Sequence, residues 1–80
     1  MNILQELYDS EINYELSCFW DDGFDAWLGD DLNGFVAEAG TFKTINAAVE
    51  WLAEQAIRHY RNSAFARRMK DNPGANQVAL

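Results

Sequence analysis

Hydrophobic positions change their spacing along the chain, and each change predicts an element. Ile3, Leu4, Leu7 and Tyr8 fall at i, i+1, i+4 and i+5, one face of a short helix that Asn2 can cap. Glu6 and Asp9 lie off that face, in water. From Glu11 to Trp20 the period drops to two. Ile12, Tyr14, Leu16, Cys18 and Trp20 alternate with Asn13, Glu15, Ser17 and Phe19, the pattern of a half-buried strand. Asp22-Gly23 is a turn signal, because Gly accepts positive φ without steric cost. A second strand runs back with Phe24, Ala26 and Leu28 inward and Asp25 and Trp27 outward. Gly29-Asp30-Asp31 and Asn33-Gly34 bracket Leu32 in a second turn. Phe35 to Ala39 follows, with Phe35, Ala37 and Ala39 on one face and Val36 and Glu38 on the other. Together these predict a three-stranded antiparallel meander.

Beyond Gly40-Thr41 the period becomes helical. Ile45, Ala48, Val49, Leu52, Ala56, His59 and Tyr60 form one stripe, about 100° wide. Thr44 is the expected N-cap, without a capping box because position 47 is Ala. Such a stripe needs a surface to cover, and the meander supplies one. Asn62-Ser63 ends this helix and caps a short basic one reaching Lys70. Asn72-Pro73-Gly74 breaks the pattern, and 75–80 reads as a tail. The expected fold is therefore α+β: a single domain over 1–71, with 72–80 as a flexible tail.

Composition sharpens this outline. The chain has 80 residues, which leaves room for one core, with 49% hydrophobic and 14% aromatic content. One cysteine, Cys18, has no internal partner, so a reducing cytoplasm is the simplest setting. The opening Met-Asn-Ile-Leu-Gln-Glu has no basic signal-peptide start, and no stretch reaches the roughly 18 apolar residues of a membrane span. Thirteen acids oppose six Lys and Arg, a net charge of −7. All ten acids of Met1–Phe42 precede the first base, Lys43, so the two parts carry −10 and +3. An anionic chain is a poor ligand for nucleic acid or anionic lipid. The charge either serves solubility or faces a cationic partner.

Candidate chemistry is sparse. Asp21, Asp22, Asp25, Asp30 and Asp31 invite an oxygen-ligated cation, but the EF-hand spacing is absent and turn aspartates are common. No metal or other cofactor is expected. Paired carboxylates for acid–base work need an apolar pocket that so short a chain has little volume to build. Cys18 is placed on the inward face of the first strand and His59 at the edge of the helical stripe, both as structural residues. No phosphate loop, CxxC or HExxH occurs, and no catalytic residues are assigned. Arg58, Arg61, Arg67, Arg68 and Lys70 suit helix C-termini and complement acids more readily than they make a nucleic-acid site.

The aromatic residues carry more. Phe19 and Trp27 fall on the outer face of the meander beside Glu15 and Asp25, and Trp51 on the flank of the long helix. Aromatic rings ringed by charge mark protein interfaces. Two arrangements stay open: an exposed face, or one covered by the N-terminal helix.

A dense carboxylate face offers a Lys/Arg-lined groove a negative field comparable with duplex DNA. The residues expected to form it are Glu15, Asp21, Asp22, Asp25, Trp27, Asp30, Asp31 and Glu38. The runs Leu7-Tyr8-Asp9-Ser10-Glu11-Ile12-Asn13, Phe19-Trp20-Asp21-Asp22-Gly23-Phe24, Leu28-Gly29-Asp30 and Asn33-Gly34-Phe35-Val36-Ala37-Glu38 resemble small phage and prophage proteins of alphaproteobacteria. Some of those resemble anti-CRISPR proteins, including inhibitors of the type I-C surveillance complex. The resemblance covers roughly 1–66 and implies a non-enzymatic DNA mimic. Such a protein binds a Cas subunit in the host cytoplasm, as monomer or dimer, and excludes target DNA. A second resemblance, at Gly40-Thr41, Thr44, Ala47-Ala48 and Ala53, is to the sheet-to-helix junction of HicB-like antitoxins. It implies neutralisation of a basic nuclease toxin, although a separate DNA-binding domain is missing.

Overall fold

Period-two alternation resolves into three strands joined by tight turns, and the helical stripe closes over one face of them. The computed structural model describes residues 2–71, so the expected break at Asn72-Pro73-Gly74 and the tail 72–80 lie outside the described residues. The order is α1 (Ile3–Asp9), β1 (Tyr14–Phe19), β2 (Gly23–Asp30), β3 (Gly34–Phe42), α2 (Ile45–His59) and α3 (Ala64–Asp71). The strands form an antiparallel sheet in the order β1-β2-β3, the expected α+β architecture, with a long helix of 15 residues.

β1 and β2 pair without interruption, from Tyr14 opposite Leu28 to Phe19 opposite Gly23. The turn closes when Asp22 N–H donates to the Phe19 carbonyl at 2.9 Å. Gly23 carries the chain into β2 at φ +110°, where a Cβ would run into the Phe42 carbonyl oxygen. That position requires glycine.

The β2–β3 register shifts twice. Leu28 faces Ala37 but Gly29 faces Phe35, so Val36 is skipped. An extra residue turns the side chains beyond it to the other face. Phe35, expected inward, consequently packs on the outer face against Trp27, with ring centroids 6.3 Å apart.

The inner face holds the core. α2 lies across β2 and β3, burying Ala48, Val49, Leu52, Ala53 and Ala56 against Ala26 and Leu28. α1 packs against α2 and adds Ile3 and Leu7; α3 adds Phe65 and Met69 to the same cluster. Caps form where sequence placed them. Asn2 accepts from Gln5 N–H, Thr44 from Ala47 N–H and Ser63 from Ala66 N–H, at 3.2, 3.1 and 3.1 Å. Among the described residues no helix is long and apolar enough to cross a membrane.

Several side chains depart from the simple pattern. Tyr8 is 75% exposed, because α1 docks through Ile3, Leu4 and Leu7 and Tyr8 stands beside that stripe rather than on it. Glu6 is not in open water: it is mostly covered and pairs with Arg68 of α3. At the two ends of α2, Ile45 and His59 are exposed. Cys18 is exposed rather than buried, and Trp20 is 95% exposed, since β1 is an edge strand outside the main footprint of α2 and ends at Phe19.

The end of α1 stores a small strain. Ile12 N–H reaches back to the Leu7 carbonyl and Glu11 N–H to that of Tyr8, the paired bonds of a Schellman cap. Glu11 occupies its left-handed position at φ 60°, where glycine is the usual residue. Glu11→Gly should therefore stabilise the fold by about 1 kcal/mol. Thermal unfolding should show this as a rise of roughly 4–8 °C; an unchanged or lower midpoint contradicts it.

Candidate protein-binding face

Cross-strand pairing builds the site around Trp27. Its neighbour on β1 is Glu15 and its neighbour on β3 is Glu38, so the ring stands between two carboxylates on adjacent strands. The indole Nε1–H donates to Glu38 Oε2 at 3.1 Å, and Phe35 supports the ring from the side. Asp25 stands two residues back on the same face, opposite Ser17. A Cβ on Gly40 would collide with the Asp25 carboxylate, so glycine leaves that group its place. Asp25, Trp27, Glu38, Ala39 and Gly40 line an open depression of about 330 Å³. Phe19, 58% exposed, extends the face toward the first turn.

This face is open. The arrangement in which the N-terminal helix covers it does not occur, because α1 packs against α2 on the inner side. Trp51, by contrast, is no free anchor: it leans on Phe42 at the core margin, with centroids 6.1 Å apart.

The remaining acids are distributed along the sheet. Asp21 and Asp22 are exposed in the first turn; at the second, Asp31 is exposed and Asp30 half-buried. Eight residues of β2 separate the two turns, about 25 Å of strand. The acids of 21–31 thus fall at two tips joined by a strand, as their turn signals predict, with Asp25 between them and Glu15 and Glu38 on the flanking strands.

Asp30 is bound into its turn. Its Oδ1 accepts the Asn33 backbone N–H at 2.7 Å and its Oδ2 accepts from Asn13 Nδ2 at 3.0 Å. The Asn33 backbone bond, the largest influence, holds the carboxyl below its ordinary pKa by favouring the ionised form. A group with a lowered folded-state pKa contributes stability that is present above the unfolded value, about 3.9, and is lost as pH falls through the folded value. Asp30→Asn should therefore melt earlier than the parent near neutrality, and the gap should close with acidification below pH ~4. A gap independent of pH contradicts the assignment.

Five of the six bases lie on or between the last two helices: Arg58 in the last turn of α2, Arg61 after it, and Arg67, Arg68 and Lys70 on α3. Arg68 pairs with Glu6 there, and Arg67 donates to the Asn62 carbonyl at 3.0 Å. Lys43 is exposed and follows directly on β3, at the end of the sheet where Phe42 pairs with Phe24.

Chemically, this face suits the recognition of cations. Carboxylates accept from guanidinium or ammonium, and an indole face adds cation–π attraction. Cys18 and His59 stand at the ends of different elements, β1 and α2. Among the described residues no three His, Cys, Asp or Glu converge to hold a metal ion. Sequence reading missed Phe35, which the skipped Val36 re-aims, and Trp20, whose place beside Asp21-Asp22-Gly23 was the available sign that it belongs to the turn. Comparison with protein-family models, curated proteins and solved structures returns no match for this chain.

Proposed function

We propose that this chain is a non-enzymatic inhibitor that blocks a nucleic-acid-binding protein complex through its open sheet face. The supporting observation is Trp27 held between Glu15 and Glu38 on a face that no helix of the described residues covers. Seven carboxylates lie along the length of the sheet, Glu15, Asp25 and Glu38 on its strands and Asp21, Asp22, Asp30 and Asp31 at its two turn ends. Over about 25 Å that is close to the charge of one DNA strand, which advances ~3.4 Å per phosphate. A Lys/Arg groove built for nucleic acid meets a comparable field here, carried on the strands and their turns, with an aromatic anchor at the centre.

The reading extends to an anti-CRISPR action: occupation of the DNA-binding surface of a type I surveillance complex in the host cytoplasm. Its test is direct. Immobilised chain should retain Cas subunits from a host carrying a type I system, and the purified complex should lose target-duplex binding as the chain is added. Retention without competition, or undiminished duplex binding at saturating chain, refutes it.

A further inference from the structure

The sheet has two edges, and they differ. β3 is bulged twice, a feature that discourages strand addition. β1 is not: its six residues pair with β2 in unbroken register and include neither Pro nor Lys. Gly29 N–H donates to the Asn13 carbonyl at 2.8 Å, which sets the parity of the ladder. Backbone groups of Asn13, Glu15 and Ser17 therefore face β2, and those of Tyr14, Leu16 and Cys18 face outward. No backbone hydrogen bond from the loops or caps of the described residues reaches those three.

We propose that this edge pairs with β1 of a second copy, antiparallel about a two-fold axis at Leu16, making one six-stranded sheet. The occupant follows from the pattern of the strand itself. Centred on Leu16, the pairing sets Leu16 against Leu16 and Tyr14 against Cys18, whose outward groups exchange hydrogen bonds. It also sets Glu15 against Ser17 of the other copy. The strand's one acid thus avoids its own image, and no like charges oppose each other within it. Beyond the strand, the register brings Trp20 of one copy toward Ile12 of the other. There Tyr8, Asp9, Glu11, Ile12 and Asn13 line an open hollow of about 470 Å³. An indole that is 95% exposed in the single chain gains a seat. The dimer places two Trp27 faces side by side on one continuous sheet. It does not depend on the identity of the cationic partner.

Sedimentation of the full chain tests this. Association should appear at micromolar to millimolar concentration and strengthen with salt, because each copy carries −7. Ser17→Glu opposes two pairs of like charge across the axis and should weaken the dimer roughly two- to thirty-fold. Ser17→Lys should strengthen it by a similar factor. Ser17 also faces Asp25 within the chain, so a second measurement avoids any effect on folding. In a Cys18→Ser background, chains carrying Glu15→Cys and Ser17→Cys should form a mixed disulfide far faster together than either forms with itself. A monomer at every concentration, an association unmoved by both Ser17 variants, or absence of the mixed disulfide overturns the proposal.

Discussion

Phe65→Ala is expected to cost about 3–5 kcal/mol, the largest loss from any single truncation in this chain. Phe65 is the largest fully buried side chain and, with Met69, fastens α3 to the core. A domain of this length has a total stability of roughly 4–12 kcal/mol, so the variant loses at least about a quarter of it and, at the low end of that range, unfolds at 25 °C. Urea unfolding should show the midpoint falling by about a quarter or more, whereas Phe65→Leu, which keeps most of the volume, should cost under about 1.5 kcal/mol. A loss below 1 kcal/mol for the alanine variant would mean that α3 contributes little to the cooperative unit.

Reversing the charge at the centre of the outer face has the second large effect, on binding rather than folding. Glu15→Lys, Asp25→Lys and Glu38→Lys together should weaken capture of the cationic partner by at least about a thousandfold. Desolvated charge pairs at an interface centre couple by several kcal/mol, and reversal replaces attraction with repulsion. Trp27→Ala alone should cost about thirtyfold or more, the behaviour of a central aromatic hot spot. Reversal of Asp21, Asp22 and Asp31 at the turns should act differently. Exposed charges at a rim change the association rate and its salt dependence more than the final affinity. Calorimetry and stopped-flow association separate the two groups. Equal losses from centre and turns would point to diffuse attraction without a docking face.

The sequence disclosed most of the fold because local and global signals agree. Ala48, Val49, Leu52 and Ala56 bury as their spacing requires, Ala26 and Leu28 meet them, and all three capping side chains accept the expected amide. Three kinds of feature were hidden. The skipped Val36 leaves no trace in alternation, so Phe35 was assigned the wrong face. Exposure of Cys18 depends on which strand α2 covers, a tertiary fact that period-two spacing does not encode, whereas Trp20 continues the alternation but already belongs to the turn. Phe65 and Met69, four apart, announced an apolar stripe that the surrounding Arg67, Arg68 and Lys70 obscured.

The site was legible only in part. Glu15, Asp25, Trp27 and Glu38 could be placed together from strand parity, and the structure gathers them. The acids of 21–31 were expected in two turns joined by a strand, and a strand of eight residues does carry them apart. What spacing did not reveal is that the Asp30 carboxylate accepts from its own turn. What remains is a line of charge with an aromatic centre rather than a dense patch.

The chain's three tryptophans offer the sharpest probe of that centre. With ¹⁵N-labelled chain titrated by a purified type I surveillance complex, the Trp27 indole N–H should shift or broaden first, as its bond to Glu38 is disturbed. The Trp51 indole, set on the helix beside Phe42, should change little beyond the general broadening of a larger assembly. A Trp27 signal that keeps its position and width while Trp51 moves would place the contact on the helical side and contradict the account.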